Sequence, residues 1–148
     1  MNDEIQFDVQ GLDDVLTAFN YLNHILDKRE IRAGLKDASK MLMEKGKENL
    51  RTRMKSGPSG VTGNLLRAFR FKIKSKNRGS LIGFDYSREG KGSHAHLVDR
   101  GTSERKTRRG YSRGKIEGNK FWTDVNNNDT ERAMNMVARA IQSAIAKI

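Results

Sequence analysis

The sequence predicts an α+β domain, a small antiparallel sheet packed by two long helices and a C-terminal helix, with a long basic loop before the last helix. Two segments, Ile5 to Val9 and Phe69 to Ile73, alternate apolar and polar residues with period two, as half-buried strands do. Three other segments carry apolar residues at helical spacing. Their order, strand, two helices, hairpin, loop and helix, favours helices gathered on one face of an antiparallel sheet. The chain has 148 residues and no internal repeat, so a single domain over 1–148 with one core suffices.

Ile5, Phe7 and Val9 alternate with Gln6 and Asp8, and Gly11 ends that strand. From Leu12 the stripe Val15, Leu16, Phe19, Leu22 and Ile25 or Leu26 predicts a helix to about Asp27. Asp27 and Glu30 stand at capping-box spacing, so the polar KRE marks a break and a restart. The second helix runs from about Arg29 to Met54, with Ile31, Leu35, Ala38, Leu42, Gly46 and Leu50 as its buried stripe. Gly34 and Gly46 each cost roughly 1 kcal/mol relative to alanine in a helix, which marks them as points of close packing.

SGPSGVTG holds the only proline, Pro58, and reads as a loop. Thr62 is a candidate N-cap for a short helical turn of Asn64, Leu65, Leu66 and Arg67. Phe69, Phe71 and Ile73 then alternate with Arg70, Lys72 and Lys74, a strand with one apolar and one basic face. Asn77, Arg78 and Gly79 make a turn, and Ser80 to Asp85 is the antiparallel return. Tyr86 to Ser93 is a loop, and His94 to Arg100 is either a helical turn or a short strand. Ser103 to Lys115, SERKTRRGYSRGK, carries six Lys or Arg against one acid, so a solvated, flexible loop is expected over about 103–117. Lys120 to Val125 turns apolar again. Asn126, Asn127, Asn128 and Asp129 offer several possible caps, with Asn128 and Glu131 at capping-box spacing, before a last helix with Ala133, Val137, Ala140, Ile141, Ala144, Ile145 and Ile148 on one face.

Composition narrows the function. Without cysteine there are no disulfides, thiolate nucleophiles or cysteine-held metal centres. The N-terminus has no basic-then-apolar leader and no stretch reaches the ~20 apolar residues that span a bilayer, so cytoplasmic production and no membrane partner are expected. The formal charge of +11 is polarised: residues 1–30 carry −5 and the remaining 118 carry +16. A basic remainder suits a polyanionic neighbour, and an acidic end suits head-to-tail contact between identical subunits.

Catalytic chemistry finds little support. His94 and His96 would share a face if they lay in a strand, with Asp99 close by, but a third and fourth ligand are not evident and His24 lies on a predicted helix, so no metal is expected. No GxSxG elbow is present, and Gly57, Gly60 and Gly63 lack the GK[ST] ending of a phosphate loop. Glu89, Asp99 and Glu104 sit among cations that would keep them ionised. The expectation is no enzyme and no cofactor. The basic residues Arg70, Lys72, Lys74, Lys76, Arg105, Lys106, Arg108, Arg109, Arg113 and Lys115, with Tyr111 among them, suit either phosphates or a protein neighbour. No helix-turn-helix, RNP-like or zinc module accompanies them, so any nucleic-acid contact would follow phosphates rather than bases.

Three motifs carry a family resemblance. Gly11-Leu12-Asp13-Asp14 opens an amphipathic helix, Thr62-Gly63-Asn64-Leu65 with Arg67 precedes a strand, and Ala95-His96-Leu97-Val98-Asp99 leads to Gly101-Thr102. In that order they resemble the phage tail-component or neck proteins, the head-to-tail joining and tail-completion family, whose motifs read GLDEL, DTGNLRRS and YAHFVEFGTS before a PFLRPA segment and a closing helix. The sequence departs from that pattern at Val61, where an acid is usual, in its long basic insertion 103–115, and at Lys120-Phe121-Trp122-Thr123-Asp124, which stands for PFLRPA without its prolines.

The resemblance implies a virion protein, assembled in the bacterial cytoplasm, that forms a ring, by that same resemblance a hexamer, between the portal-side connector and the tail tube. Tail terminator and head-completion protein are neighbouring roles. A non-specific nucleic-acid-binding accessory protein is the alternative from another class, and a small nuclease is the enzymatic one. Among the motif residues, Gly63 and Gly101 are expected to serve turns and Thr62 and Thr102 to bond local backbone. Phe121 and Trp122 are expected to anchor a core or an interface.

Overall fold

The structure is a computed structural model that describes Thr17, Asn20, Tyr21 and residues 29–54, 63–74 and 79–147. Its elements are α1 (Arg29–Arg53), α2 (Asn64–Ala68), β1 (Phe69–Ile73), β2 (Ser80–Phe84), α3 (Ala95–Arg100), α4 (Thr123–Asn128) and α5 (Thr130–Ile145). The class is α+β, with a two-stranded antiparallel sheet packed by the 25-residue α1 and the 16-residue α5. The expected strand Ile5 to Val9 and most of the expected first helix lie outside the described residues; Thr17, Asn20 and Tyr21 are helical.

α1 begins at the polar restart and carries Glu30 in its first turn and Arg51 and Arg53 in its last, the charge order its dipole favours. Ile31, Leu35, Ala38, Gly46 and Leu50 are buried as expected. Leu42 is only half-buried, a correction to the expected stripe. Ser39 takes an inward place instead, because its hydroxyl donates to the Leu35 carbonyl at 2.6 Å and meets the Ser80 hydroxyl at 2.6 Å, so its polar group is satisfied inside.

Both helix glycines sit where another element comes close. A Cβ at Gly34 would collide with the Ala140 methyl of α5, and one at Gly46 would lie 2.5 Å from Cε1 of Phe69. Phe69 is fully enclosed by Phe84, Phe121 and Trp122 and cannot yield. Gly46→Ala is therefore expected to destabilise. Helix propensity returns about 1 kcal/mol, but overpacking a rigid core costs typically 1–3 kcal/mol. A urea melt checks the sign, and a higher midpoint would contradict this packing argument.

β1 and β2 pair in the register Phe69↔Phe84, Phe71↔Ile82 and Ile73↔Ser80 on one face, with Arg70↔Gly83 and Lys72↔Leu81 on the other. The first face meets α1, and the second leaves Arg70, Lys72 and Lys74 exposed, as the alternation predicts. Leu50, Leu65, Phe69, Ala95 and Phe121 form the main core, and Ile31, Leu35 and Ala144 form a second cluster with Ile73, Val137 and Ile141 around it.

Several boundaries differ from expectation. The cap of α2 falls on Gly63, at φ +70° and without a side-chain bond, while Thr62 lies outside the described residues. His94 to Arg100, open in the sequence, is the helix α3 with His94 at its cap position. The Asn128–Glu131 capping box does not form, because Asn128 closes the unforeseen helix α4 and Asp129 takes the cap position. The Asp129 carboxylate pairs with Lys45 at 3.5 Å instead. On α5, Ile145 is 46% exposed rather than buried, since Ala144 takes the inward place at that end, and Ile148 lies outside the described residues.

Candidate functional site

The long basic loop is present as expected, largely exposed, and hydrogen bonds across it draw it into a narrow ribbon. Its two sides meet in isolated antiparallel bridges at Gly101↔Glu117 and Lys106↔Ser112. Thr102 N–H donates to the Ile116 carbonyl at 2.9 Å, and Arg105 N–H to that of Gly114 at 3.0 Å. The tip is set by sequence: Thr107 N–H donates to the Tyr111 carbonyl at 2.8 Å, Gly110 N–H donates back to that of Thr107 at 2.9 Å, and Gly110 has φ +84°. Arg108, Arg109 and Gly110 thus form a three-residue hairpin loop that places glycine at its left-handed position. The signal was present as TRRGY, but the surrounding charge obscured it. The Ser112 hydroxyl donates to the Glu104 carboxylate at 2.9 Å, which ties the two sides together.

The base of this arm is built by the motif residues. Asp99 is buried, and its carboxylate accepts the Trp122 N–H at 2.8 Å, the Thr123 N–H at 3.0 Å and the Thr123 hydroxyl at 2.5 Å. It therefore caps the start of α4 from a distance and locks α3 to the segment that follows the arm. The sequence marks Asp99 as a motif residue and a candidate carboxylate, but its structural task has no local signal because its partners are 23 and 24 positions away. Gly101 and Gly118 cross beside it. A Cβ at Gly101 would lie 2.6 Å from the Ile116 carbonyl oxygen, and one at Gly118 2.5 Å from the Arg100 carbonyl carbon. Thr102 bonds local backbone as expected, its Oγ1 accepting the Ile116 N–H at 3.0 Å. Arg53 completes the base by donating to the carbonyls of Asn119 and Lys120 and to the Asp124 carboxylate at 2.5 Å.

The other motif residues converge below. Leu65, Ala95 and Phe121, one from each of three separated segments, meet in the main core, and Trp122 packs edge-on to Phe69 at 5.3 Å between ring centres. Gly63 holds its left-handed turn at φ +70°, as expected, and the Asn64 side-chain oxygen accepts a hydrogen bond from Arg67 at 2.6 Å. His94 and His96 are both exposed, and on a helical stretch positions two apart point to different faces. Among the described residues no group of three or more His, Asp or Glu is placed to hold a metal ion.

The predicted cations separate into two sets. Arg105, Lys106, Arg108, Arg109, Arg113 and Lys115 are all exposed on the arm. Of these only Lys115 has an ion-pair partner among the described residues, Glu117 at 2.6 Å, whose hydrogen bond and charge raise the Lys115 pKa above the ordinary lysine value. Arg70 and Lys72 instead border a groove of about 770 Å³ between the hairpin and α3, whose lining is largely apolar, with Phe71, Phe84 and Trp122, and which also has Tyr86, His96 and Arg100 in its wall. Asp85 lies there too, and the Ser87 hydroxyl, then the Ser87 N–H, hold its carboxyl below the usual aspartate range. Lys74 is exposed on the same strand, and Lys76 lies outside the described residues.

A second groove, of about 720 Å³, runs between α1, α5 and the start of β2. It is mostly apolar, with Leu42, Val137 and Ile141 in its walls and Met134, 66% exposed, at its rim. Among the described residues no helix is long and apolar enough to cross a membrane. No protein-family model, curated protein or solved structure matches this chain.

Proposed function

We propose that this chain is a structural, non-catalytic component of a phage neck, which completes the tail or joins it to the head as a ring of identical subunits. The observation that carries this reading is the convergence of the motifs that resemble the neck family. Leu65, Ala95 and Phe121 meet in one core, and Asp99 and Gly101 build the base from which the cationic arm projects. A base fixed by buried hydrogen bonds and close backbone packing, with contact groups exposed beyond it, suits a protein that works by docking. The apolar groove beside α5, with Met134 at its rim, has the character of the buried centre of a subunit contact. In a ring, the acidic region 1–30 of one subunit meets a basic region of the next. The ring sits in the virion between the portal-side connector and the tail tube, and tail terminator and head completion are variants of the same docking role.

Changing Arg105, Lys106, Arg108 and Arg109 together to Glu tests the reading. All four are exposed and none supports the core, so the variant is expected to unfold at the wild-type urea midpoint while tail joining is abolished. Normal particle assembly by that variant would remove the role assigned to the arm. The arm also favours a second reading, a non-specific nucleic-acid-binding accessory protein. A protein that stays monomeric while its DNA affinity falls steeply with salt would support that one instead.

A further inference from the structure

We infer that the arm and the groove beside α3 form one continuous track for the phosphate backbone of duplex nucleic acid, with the ribbon lying in the major groove. This rests on the docking reading above and names the partner of its basic surface. Arg100 supplies the continuity, because it lines the groove together with Arg70, Lys72 and His96 and is also the residue immediately before Gly101, where the ribbon starts.

Geometry and chemistry select the occupant. A two-stranded ribbon is about 5 Å between strand axes before side chains, and the major groove, about 12 Å wide, admits one. The ribbon's tip is a tight three-residue loop with Arg108 and Arg109 outermost, so cations lead. Four of its six cations are arginines, whose planar forks bind phosphate oxygens bidentately. An acidic protein partner fits less well. Interfaces between proteins centre on apolar or aromatic residues and are depleted of charge, and although the groove has Phe71, Phe84 and Trp122 in its lining, Tyr111, 71% exposed, is the only large aromatic on the ribbon, which makes the leading contact. Beside phosphates that same ring serves as a stacking or sugar-contacting face. The hydroxyls of Thr102, Thr107 and Ser112 are taken up in the ribbon's own hydrogen bonds, so contact with nucleic acid falls to the cations along the backbone and the track is indifferent to sequence.

The test is fluorescence anisotropy of the full chain with two unrelated 30-base-pair DNA duplexes and with a polyglutamate of similar charge, across a salt series. Wild type is expected to bind both duplexes equally, with log affinity falling against log salt at a slope of about −4 to −6, near −0.9 per phosphate engaged. The R105E/K106E/R108E/R109E variant should lose at least about 100-fold in affinity and flatten the slope by about 4. R70E/K72E, on the groove wall, should lose about 10-fold with the slope flattened by about 2. Duplex affinity unchanged in the arm variant, or polyglutamate bound as tightly as DNA, overturns the track. A ring with no duplex affinity overturns the track and leaves the neck reading standing; a DNA-binding monomer does the reverse.

Discussion

Asp99→Ala is expected to lower stability by about 3 kcal/mol, the largest loss of any single polar substitution among the residues discussed. One carboxylate takes three donors, the N–H groups of Trp122 and Thr123 and the Thr123 hydroxyl, at 2.5–3.0 Å. Hydrogen bonds to a charged group contribute about 1.5–3 kcal/mol, and truncation leaves two backbone N–H groups at the start of α4 unpaired in a buried site. Asp99→Asn keeps one acceptor oxygen and loses charge, so about half that effect is expected. Equilibrium urea unfolding reads both, with the midpoint lowered and the slope unchanged. Because Asp99 ties α3 to the segment after the arm, amide exchange over 102–116 should also quicken in the alanine variant. Wild-type midpoint and exchange would show that the base is held by something else.

Gly101→Ala should cost at least about 3 kcal/mol, for two reasons that add. At φ +80° and ψ −174° the backbone lies in a region that glycine alone occupies readily, a strain of about 1–3 kcal/mol for any other residue. The new Cβ would also lie 2.6 Å from the Ile116 oxygen and 2.7 Å from the Gly118 nitrogen, both backbone atoms that cannot step aside. Gly110→Ala provides the contrast. It has φ +84° as well, but nothing lies within 4 Å of its Cβ, so only the conformational cost of about 1 kcal/mol applies. Thermal unfolding of the pair separates the two contributions. Equal losses would mean that the crossing of Gly101 and Gly118 is not a tight contact.

What the sequence made legible follows from the range of the interactions. α1 announced itself because its stripe and its polar restart are local, and the basic face of β1 because alternation needs only five residues. The close approaches at Gly34 and Gly46 were legible as costs that something had to justify, though not which partner, Ala140 or Phe69, would justify them. The cap of α5 is open in the sequence among the adjacent Asn126, Asn127, Asn128 and Asp129, and the unforeseen α4, which takes in the three asparagines, decides for Asp129. The long basic loop is legible from its charge and lack of apolar residues, whereas its internal pairing is not, because that pairing rests on isolated bridges, backbone bonds and one turn glycine rather than on apolar alternation. Of the candidate site, the cations could be named from composition alone. Their division into an arm and a groove wall, joined at Arg100, depends on tertiary placement that no window of sequence contains.

Electron microscopy of virus particles carrying a tagged copy of this chain tests the central claim most directly. The tag should appear as a closed ring at the junction of head and tail, and particles made without the chain should accumulate as separate heads and tails. A chain absent from the particle and from every assembly intermediate, with heads and tails joining normally in its absence, would contradict the account.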